Sequence, residues 1–431
     1  MNTLDFVAWL PVCLAALWLL RVALWRGVER LAGSDRLSAA GLGYGLILLI
    51  WPFSAPGWTG LGNVLGDLKA WHRARTCFDL ARRLRPDWIE AWLGLGVVAL
   101  VLDQDYDRAH ACFLQAYLLR RGTPVNLVDT LPVIRPGVEA EDPIADKLLH
   151  DADQLGQLVN SGRLSADLLE RADSYRLLAQ GLGSGLPPAY QRALWLEQPA
   201  WSGSPLLPVD AARVEGDYAA SGSILTWYDG LLRREVLDQL LEFCQYSTIW
   251  HHIYANGYLG AYIDDGMTSP LLYQIAQALK DSFPAIFADT RLVYLWAFKC
   301  RAQAPGVALH HDSALVNVNF WLTPDSANRD PGSGGICVYP KAPPPDWDLE
   351  RYQIAPADMA RFVEGVEPIC VPYRQNRVVI FNSRLFHATQ PFDFVPGYLN
   401  QRLNVTLLFG RQPLRYHEKK KLTVNRGRSR S

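Results

Sequence analysis

The stretch that most constrains this chain runs from Gly306 to Thr323 and reads GVALHHDSALVNVNFWLT. His310, His311 and Asp312 precede a run from Ala314 to Leu322 whose β-branched and aromatic residues, bounded by Asp and Pro, predict a strand. On an extended backbone alternate side chains share a face, so His310 and Asp312 point one way and His311 the other. His311 is therefore read either as a support to a ligand or as exposed. Two imidazoles and one carboxylate on one face of an octahedron leave three positions of a metal open to other molecules. His310 and Asp312 supply two of the three.

The third ligand is expected on a later strand. Of nine histidines only His387 and His417 lie downstream, and His417 opens a basic tail. His387 ends RVVIFNSRLFH, strand-like from Arg377 to Phe381, and is the better candidate. Fifteen residues on, Arg402 opens RLNVTLLF, where period-two alternation puts Arg402, Asn404 and Thr406 on one face and Leu403, Val405 and Leu407 on the other. A planar guanidinium inside a β fold suits a carboxylate. Arg384 is a weaker rival, only three residues before His387. His310, Asp312 and His387 are thus the expected metal ligands, and Arg402 with Asn404 the expected cofactor-binding pair. No residue stands out as a separate general acid or base.

With these residues in place, the segment from about Ser223 to Gly410 resembles the 2-oxoglutarate and iron(II)-dependent oxygenase superfamily, near its prolyl-hydroxylase-like branch. The resemblance implies iron(II) held by His310, Asp312 and His387, and 2-oxoglutarate anchored through its distal carboxylate by Arg402. It implies ascorbate as an accessory candidate, and a dioxygenase that releases succinate and carbon dioxide while hydroxylating a peptidyl or small-molecule substrate. Asn404 stands where many members have Ser. The step from His387 to Arg402 is also longer than the family's, with PFDFVPGYLN between them. Two other readings stay open: a membrane-anchored, repeat-containing adaptor with a non-catalytic barrel, and a metal-dependent hydrolase with the same ligands. Arg402 separates the second from an oxygenase, since a hydrolase needs no inward carboxylate clamp.

The fold class expected is α+β: apolar N-terminal helices, a helical tetratricopeptide-like region, and a C-terminal double-stranded β-helix, or jelly roll, with bracing helices. Among the first 54 residues, Phe6 to Leu20 is uncharged and a second apolar run starts at Leu37, with Trp9, Trp25, Trp51 and Trp58 near the ends of these runs. Residues 6–58 are therefore expected to associate with a membrane, as one or two transmembrane helices, leaving the catalytic domain facing the cytoplasm. Over 55–125, Trp58, Leu61 and Gly62 recur as Trp92, Leu95 and Gly96 after 34 residues, and Ala74, Phe78 and Ala81 as Ala109, Phe113 and Ala116 after 35. That is the tetratricopeptide spacing, which suits a peptide or protein partner. Residues 126–222 are read as a helical region and linker, 223–415 as the oxygenase domain and 416–431 as a basic disordered tail. A Pro-rich insert, KAPPPDWDLERYQ, is long enough to cover the site, with Trp347 and Tyr352 as substrate contacts. A net charge of -1 argues against nucleic acid. Seven scattered cysteines without a C-x-x-C pair are read as free thiols.

Overall fold

The computed structural model describes residues 20, 22–32, 36–121, 143–181, 198–254, 257–344 and 356–412. They divide into two compact units, with the boundary between Ala116 and Tyr117.

In the first unit, α1 (22–32) is followed by α2 (Leu37–Ile50), α3 (Ala55–Asp67), α4 (Trp71–Leu84), α5 (Ile89–Val98) and α6 (Tyr106–Arg121). Trp51 and Pro52 end α2 after 14 residues. At about 1.5 Å per residue such a helix falls well short of a bilayer core of roughly 30 Å. Among the described residues no helix is long and apolar enough to cross a membrane. This corrects the transmembrane helix expected from the run that starts at Leu37, and the membrane-associated, cytoplasm-facing localisation expected for the chain; residues 6–19 lie outside the described residues. The tryptophans taken for interfacial anchors serve packing instead. Trp25 meets Tyr44 edge-on at 5.7 Å, Trp51 packs on the cluster of Ala40, Ile47 and Val64, and Trp58 donates its indole N–H to the Pro52 carbonyl. Trp9 lies outside the described residues.

The residues that recur in sequence make recurring contacts. A Cβ on Gly62 would fall 2.6 Å from the Phe78 ring, and one on Gly96 would fall 2.9 Å from the Phe113 ring. The missing side chains let each aromatic ring lie against the preceding helix. The Trp58 contact has its counterpart in Trp92, whose indole donates to the Pro86 carbonyl, both at 2.7 Å.

The second unit opens with helices α7 (Pro143–Asn160), α8 (Leu168–Ala179) and α9 (Ala211–Ala220). Its β structure comprises β1 (Leu225–Asp229), β2 (His252–Tyr254), β3 (Tyr258–Tyr262), β4 (Arg291–Cys300), β5 (Gln303–Ala304), β6 (Val316–Trp321), β7 (Ile336–Val338), β8 (Ile369–Val371), β9 (Arg377–Asn382), β10 (His387–Thr389), β11 (Phe392–Asp393) and β12 (Arg402–Gly410). Between them lie α10 (Arg234–Tyr246), α11 (Pro270–Ser282) and α12 (Pro356–Val363). α11 starts where the sequence directs: the Ser269 hydroxyl accepts from the Leu272 amide, and Pro270 takes the first turn.

Seven antiparallel strands form the larger sheet in the order β1-β9-β6-β12-β4-β3-β2, and β10-β7-β8 form a smaller one. Trp321, Val379 and Phe381 of the first share a single apolar core with Ile336, Val338 and Val371 of the second. Two sheets closing on one core are consistent with a jelly roll. Every residue of β12 is buried, so its two faces serve different purposes. Leu403, Val405 and Leu407 fill one side, while Arg402, Asn404 and Thr406 face inward opposite Cys300, Phe298 and Trp296 of β4.

On the smaller sheet, Cys337 and Cys370 stand directly opposite on β7 and β8 and are joined by a disulfide. This corrects the reading of seven free thiols, because partners 33 residues apart are revealed only by strand register. Cys77, Cys112, Cys244 and Cys300 are free and buried; Cys13 lies outside the described residues. Trp347, Tyr352 and the basic tail with His417 also lie outside them.

The last turn of α6, from Tyr117 on, belongs to the second unit and is tied within it to Asp265, which is 2% exposed. Arg121 donates to both carboxylate oxygens, at 3.1 and 2.7 Å. Burial alone would raise this carboxyl, but His251, His252 and Arg121 around it hold it well below the usual carboxylate range. Its contribution to stability is therefore complete above the ~3.9 of an unfolded aspartate and fades only as pH falls toward the depressed folded value. Asp265→Asn leaves the guanidinium uncompensated and should cost about 3 to 5 kcal/mol in urea unfolding at neutral pH. A loss below about 1 kcal/mol would show that the pair is not needed.

Candidate metal centre and carboxylate-binding site

His310 and His387 lie side by side because their backbones pair. The His310 amide donates to the His387 carbonyl at 3.0 Å, and the His387 amide returns the bond at 2.8 Å. The Asp312 amide donates to the Ser383 carbonyl at 3.1 Å, and the Ser383 hydroxyl donates to the Asp312 carbonyl at 3.2 Å. The loop before β6 is thus pinned at two points to the chain between β9 and β10.

The side chains converge as a result. One donor atom from each of His310, Asp312 and His387 lies within 4.8 Å of the others. The two imidazoles are oriented alike: Nδ1 of His310 donates to the Ala308 carbonyl at 2.7 Å, and Nδ1 of His387 to the Leu385 carbonyl at 2.9 Å. A carbonyl can only accept, so both Nδ1 atoms carry the proton, and each ring in its neutral form presents Nε2 as the ligand atom for a cation. The His387 Nε2 lies 3.4 Å from Asp312 Oδ2. Two neutral imidazole donors and a carboxylate on adjacent chain segments fit a divalent transition metal.

His311 points away from the ligands, as the alternation requires, but it is buried rather than exposed. Its ring meets Phe386 edge-on at 5.7 Å, and burial pushes its pKa down to about 4 against the opposing pull of Asp312. It is neutral at physiological pH and adds no positive charge beside the metal ligands.

Arg402 closes the other end of the same cavity. The cavity, of about 30 Å³, is lined by the three ligands together with Trp296, Phe298, Val307, Asn319, Trp321, Ile336, Thr389, Arg402, Asn404 and Thr406. Arg402 is 2% exposed. Its Nε donates to the Gly334 carbonyl at 2.7 Å and its Nη1 to Asn404 Oδ1 at 3.1 Å. The rings of Phe392, Tyr373 and Trp321 surround the guanidinium carbon at 5.5, 5.6 and 5.9 Å. Among the described residues no carboxylate lies within ion-pair distance. A buried guanidinium without a counter-charge is costly. Arg384, the rival anchor, is exposed.

Sequence reasoning missed Asn317 and Asn319, inward on β6, and the aromatic shell around Arg402. Asn317 and Asn319 share the alternation that placed Arg402 and Asn404, a signal that was available. The aromatic shell was not legible, because Phe392 comes from the extra stretch between His387 and Arg402, where β11 pairs with β5.

No protein-family model matches the chain, and neither does any curated protein sequence. Solved structures resemble it in part. An oxidoreductase of the 2OG-Fe(II) oxygenase family from Burkholderia pseudomallei is 10% identical, with a TM-score of 0.32 over 51% of this chain and 96% of that one. HygX from Streptomyces hygroscopicus, crystallised with nickel and 2-oxoglutarate, is 14% identical, with a TM-score of 0.33 over 46% and 86%. A prolyl-4-hydroxylase from Pseudomonas putida is 15% identical, with a TM-score of 0.31 over 47% and 99%. At these scores the chemistry rests on the site's own geometry.

His310→Ala, Asp312→Ala and His387→Ala should each abolish nickel binding in calorimetric titration. His311→Ala should bind nickel within a few-fold of the parent while losing stability. Equal loss of nickel in all four would mean that the alternation of the triplet is misassigned.

Proposed function

We propose that this chain is a 2-oxoglutarate- and iron(II)-dependent dioxygenase built on a double-stranded β-helix, with hydroxylation as its outcome. One observation carries the reading: a facial set of two imidazoles and a carboxylate shares a cavity with a buried, uncompensated guanidinium. A hydrolase would use the ligands and leave Arg402 without purpose. An adaptor would need neither.

The roles of the residues follow from what each can do. His310, Asp312 and His387 would hold the metal through Nε2, a carboxylate oxygen and Nε2. Arg402, with Nε and Nη1 donating to Gly334 and Asn404 and the Cys300 thiol beside it, would offer the rest of its fork to the distal carboxylate of 2-oxoglutarate. Trp321, Tyr373 and Phe392 exclude water from that ion pair, which strengthens it. Iron(II), when bound, supplies dioxygen activation coupled to oxidative decarboxylation of 2-oxoglutarate and oxidation of a C–H bond. The protein's part is to bind, orient and keep dry.

Iron-loaded protein should convert 2-oxoglutarate to succinate, measured by chromatography. Arg402→Ala breaks a charged pair in a water-poor site, a loss of about 2 to 5 kcal/mol, and should raise the KM for 2-oxoglutarate roughly 30- to 3000-fold. Its effect on metal affinity should be far smaller. Arg402→Lys should recover part of the loss through its charge, but not the planar fork. Succinate formation that is insensitive to Arg402→Ala would remove the clamp from the reading; absence of succinate from every iron-loaded preparation would remove the class.

A further inference from the structure

Between Arg402 and Asp312 the inner face of the larger sheet carries a continuous chain of side-chain hydrogen bonds. Arg402 Nη1 donates to Asn404 Oδ1 at 3.1 Å, and the Asn404 amide donates to Asn319 Oδ1 at 3.2 Å. The Asn319 amide donates to Asn317 Oδ1 at 2.7 Å, and the Asn317 amide donates to Asp312 Oδ2 at 2.8 Å. The Thr406 hydroxyl adds a second donor to Asn319 Oδ1 at 2.9 Å. All are buried, with Asn317 at 0% exposure and Asn319 at 8%.

The chain has a direction, and its ends set it. A guanidinium can only donate and an ionised carboxylate can only accept. Asn404 must therefore turn its oxygen toward Arg402, which leaves its NH₂ for Asn319. The same constraint passes to Asn319 and then to Asn317, so the last NH₂ in the row faces Asp312. Reversing one amide would set two donors or two acceptors against each other at both of its contacts.

We infer that Asn317 and Asn319 are positioning residues for the metal ligand Asp312, and that the asparagine ladder ties the orientation of that carboxylate to the anchored guanidinium. The inference rests on the metal and carboxylate assignments made above. Asn317 is the direct hold: it fixes the Asp312 oxygen that lies beside His387 Nε2. Asn319 touches neither Asp312 nor Arg402, yet it sets which way Asn317 faces. Partners that orient a metal ligand typically change metal affinity about 10- to 100-fold.

Nickel titration by calorimetry tests this, with thermal unfolding of the metal-free protein recorded in parallel. Asn317→Leu keeps the volume and removes the donor; it should weaken nickel binding about 10- to 100-fold. Asn319→Leu should weaken it by a smaller but measurable factor. A purely structural role would lower the unfolding temperature and leave nickel affinity unmoved. Should Asn317→Leu fail to fold, Asn317→Ser keeps a polar side chain there but is too short to reach Asp312, and should show the same loss. Folded Asn317 variants that bind nickel within twofold of the parent would overturn the positioning role. A loss at Asn317 with none at Asn319 would overturn the ladder. A parent protein that binds no nickel would overturn the metal assignment, a different result from equal binding by parent and variants.

Discussion

The antiparallel bridge between His310 and His387 is the contact on which the rest of the site depends. It joins the loop before β6 to β10 by two backbone hydrogen bonds, and so brings two imidazoles 77 residues apart in sequence to ring centroids 4.3 Å apart. The bond from the Asp312 amide to the Ser383 carbonyl holds the same loop at a second point, out of register with the bridge. Backbone pairing, rather than side-chain packing, therefore sets the spacing of the ligands. Each imidazole is then held by a carbonyl of its own segment, two residues before it, which leaves its donor nitrogen fixed toward the cavity.

The opposite end of the cavity is governed by an unbalanced charge. Arg402 opens the central strand β12, which pairs with β4 from Arg402 onward and with β6 from Asn404 onward. Desolvation at that position works against the charged guanidinium and lowers its pKa from its ordinary value. Three aromatic rings and hydrogen bonds with Gly334, Asn404 and the Cys300 thiol hold it without neutralising it. The asparagines and Thr406 fill the space between this cation and the Asp312 carboxylate with oriented dipoles. A polar row of this kind is tolerated in a buried β core only where each member is satisfied.

Part of this was legible in the chain itself. The strand pattern from Ala314 to Leu322 and that of RLNVTLLF locate two core strands, because a period of two is a local property of the extended backbone. The same period assigned His310 and Asp312 to one side and His311 to the other. The absence of a better downstream histidine pointed to His387, and the alternation around Arg402 placed it inward with Asn404. The apolar N-terminal runs were open to two readings, since a buried packing helix and a membrane segment have the same composition. The break at Trp51 and Pro52 limits the helix over residues 37–50 to 14 residues, packed through Ala40, Tyr44 and Ile47 while Leu42, Leu46 and Leu49 stay exposed.

What the sequence determined by itself was which residues share a face, because alternation needs no partner. Tertiary structure decided which faces meet. The pairing of β7 with β8 makes a disulfide of Cys337 and Cys370, the fold of the stretch after His387 brings Phe392 beneath Arg402, and the register of β6 on β12 joins Asn319 to Asn404. Each depends on hydrogen bonds between segments far apart in the chain, and a one-residue slip in any of them would turn the same side chains to the opposite face.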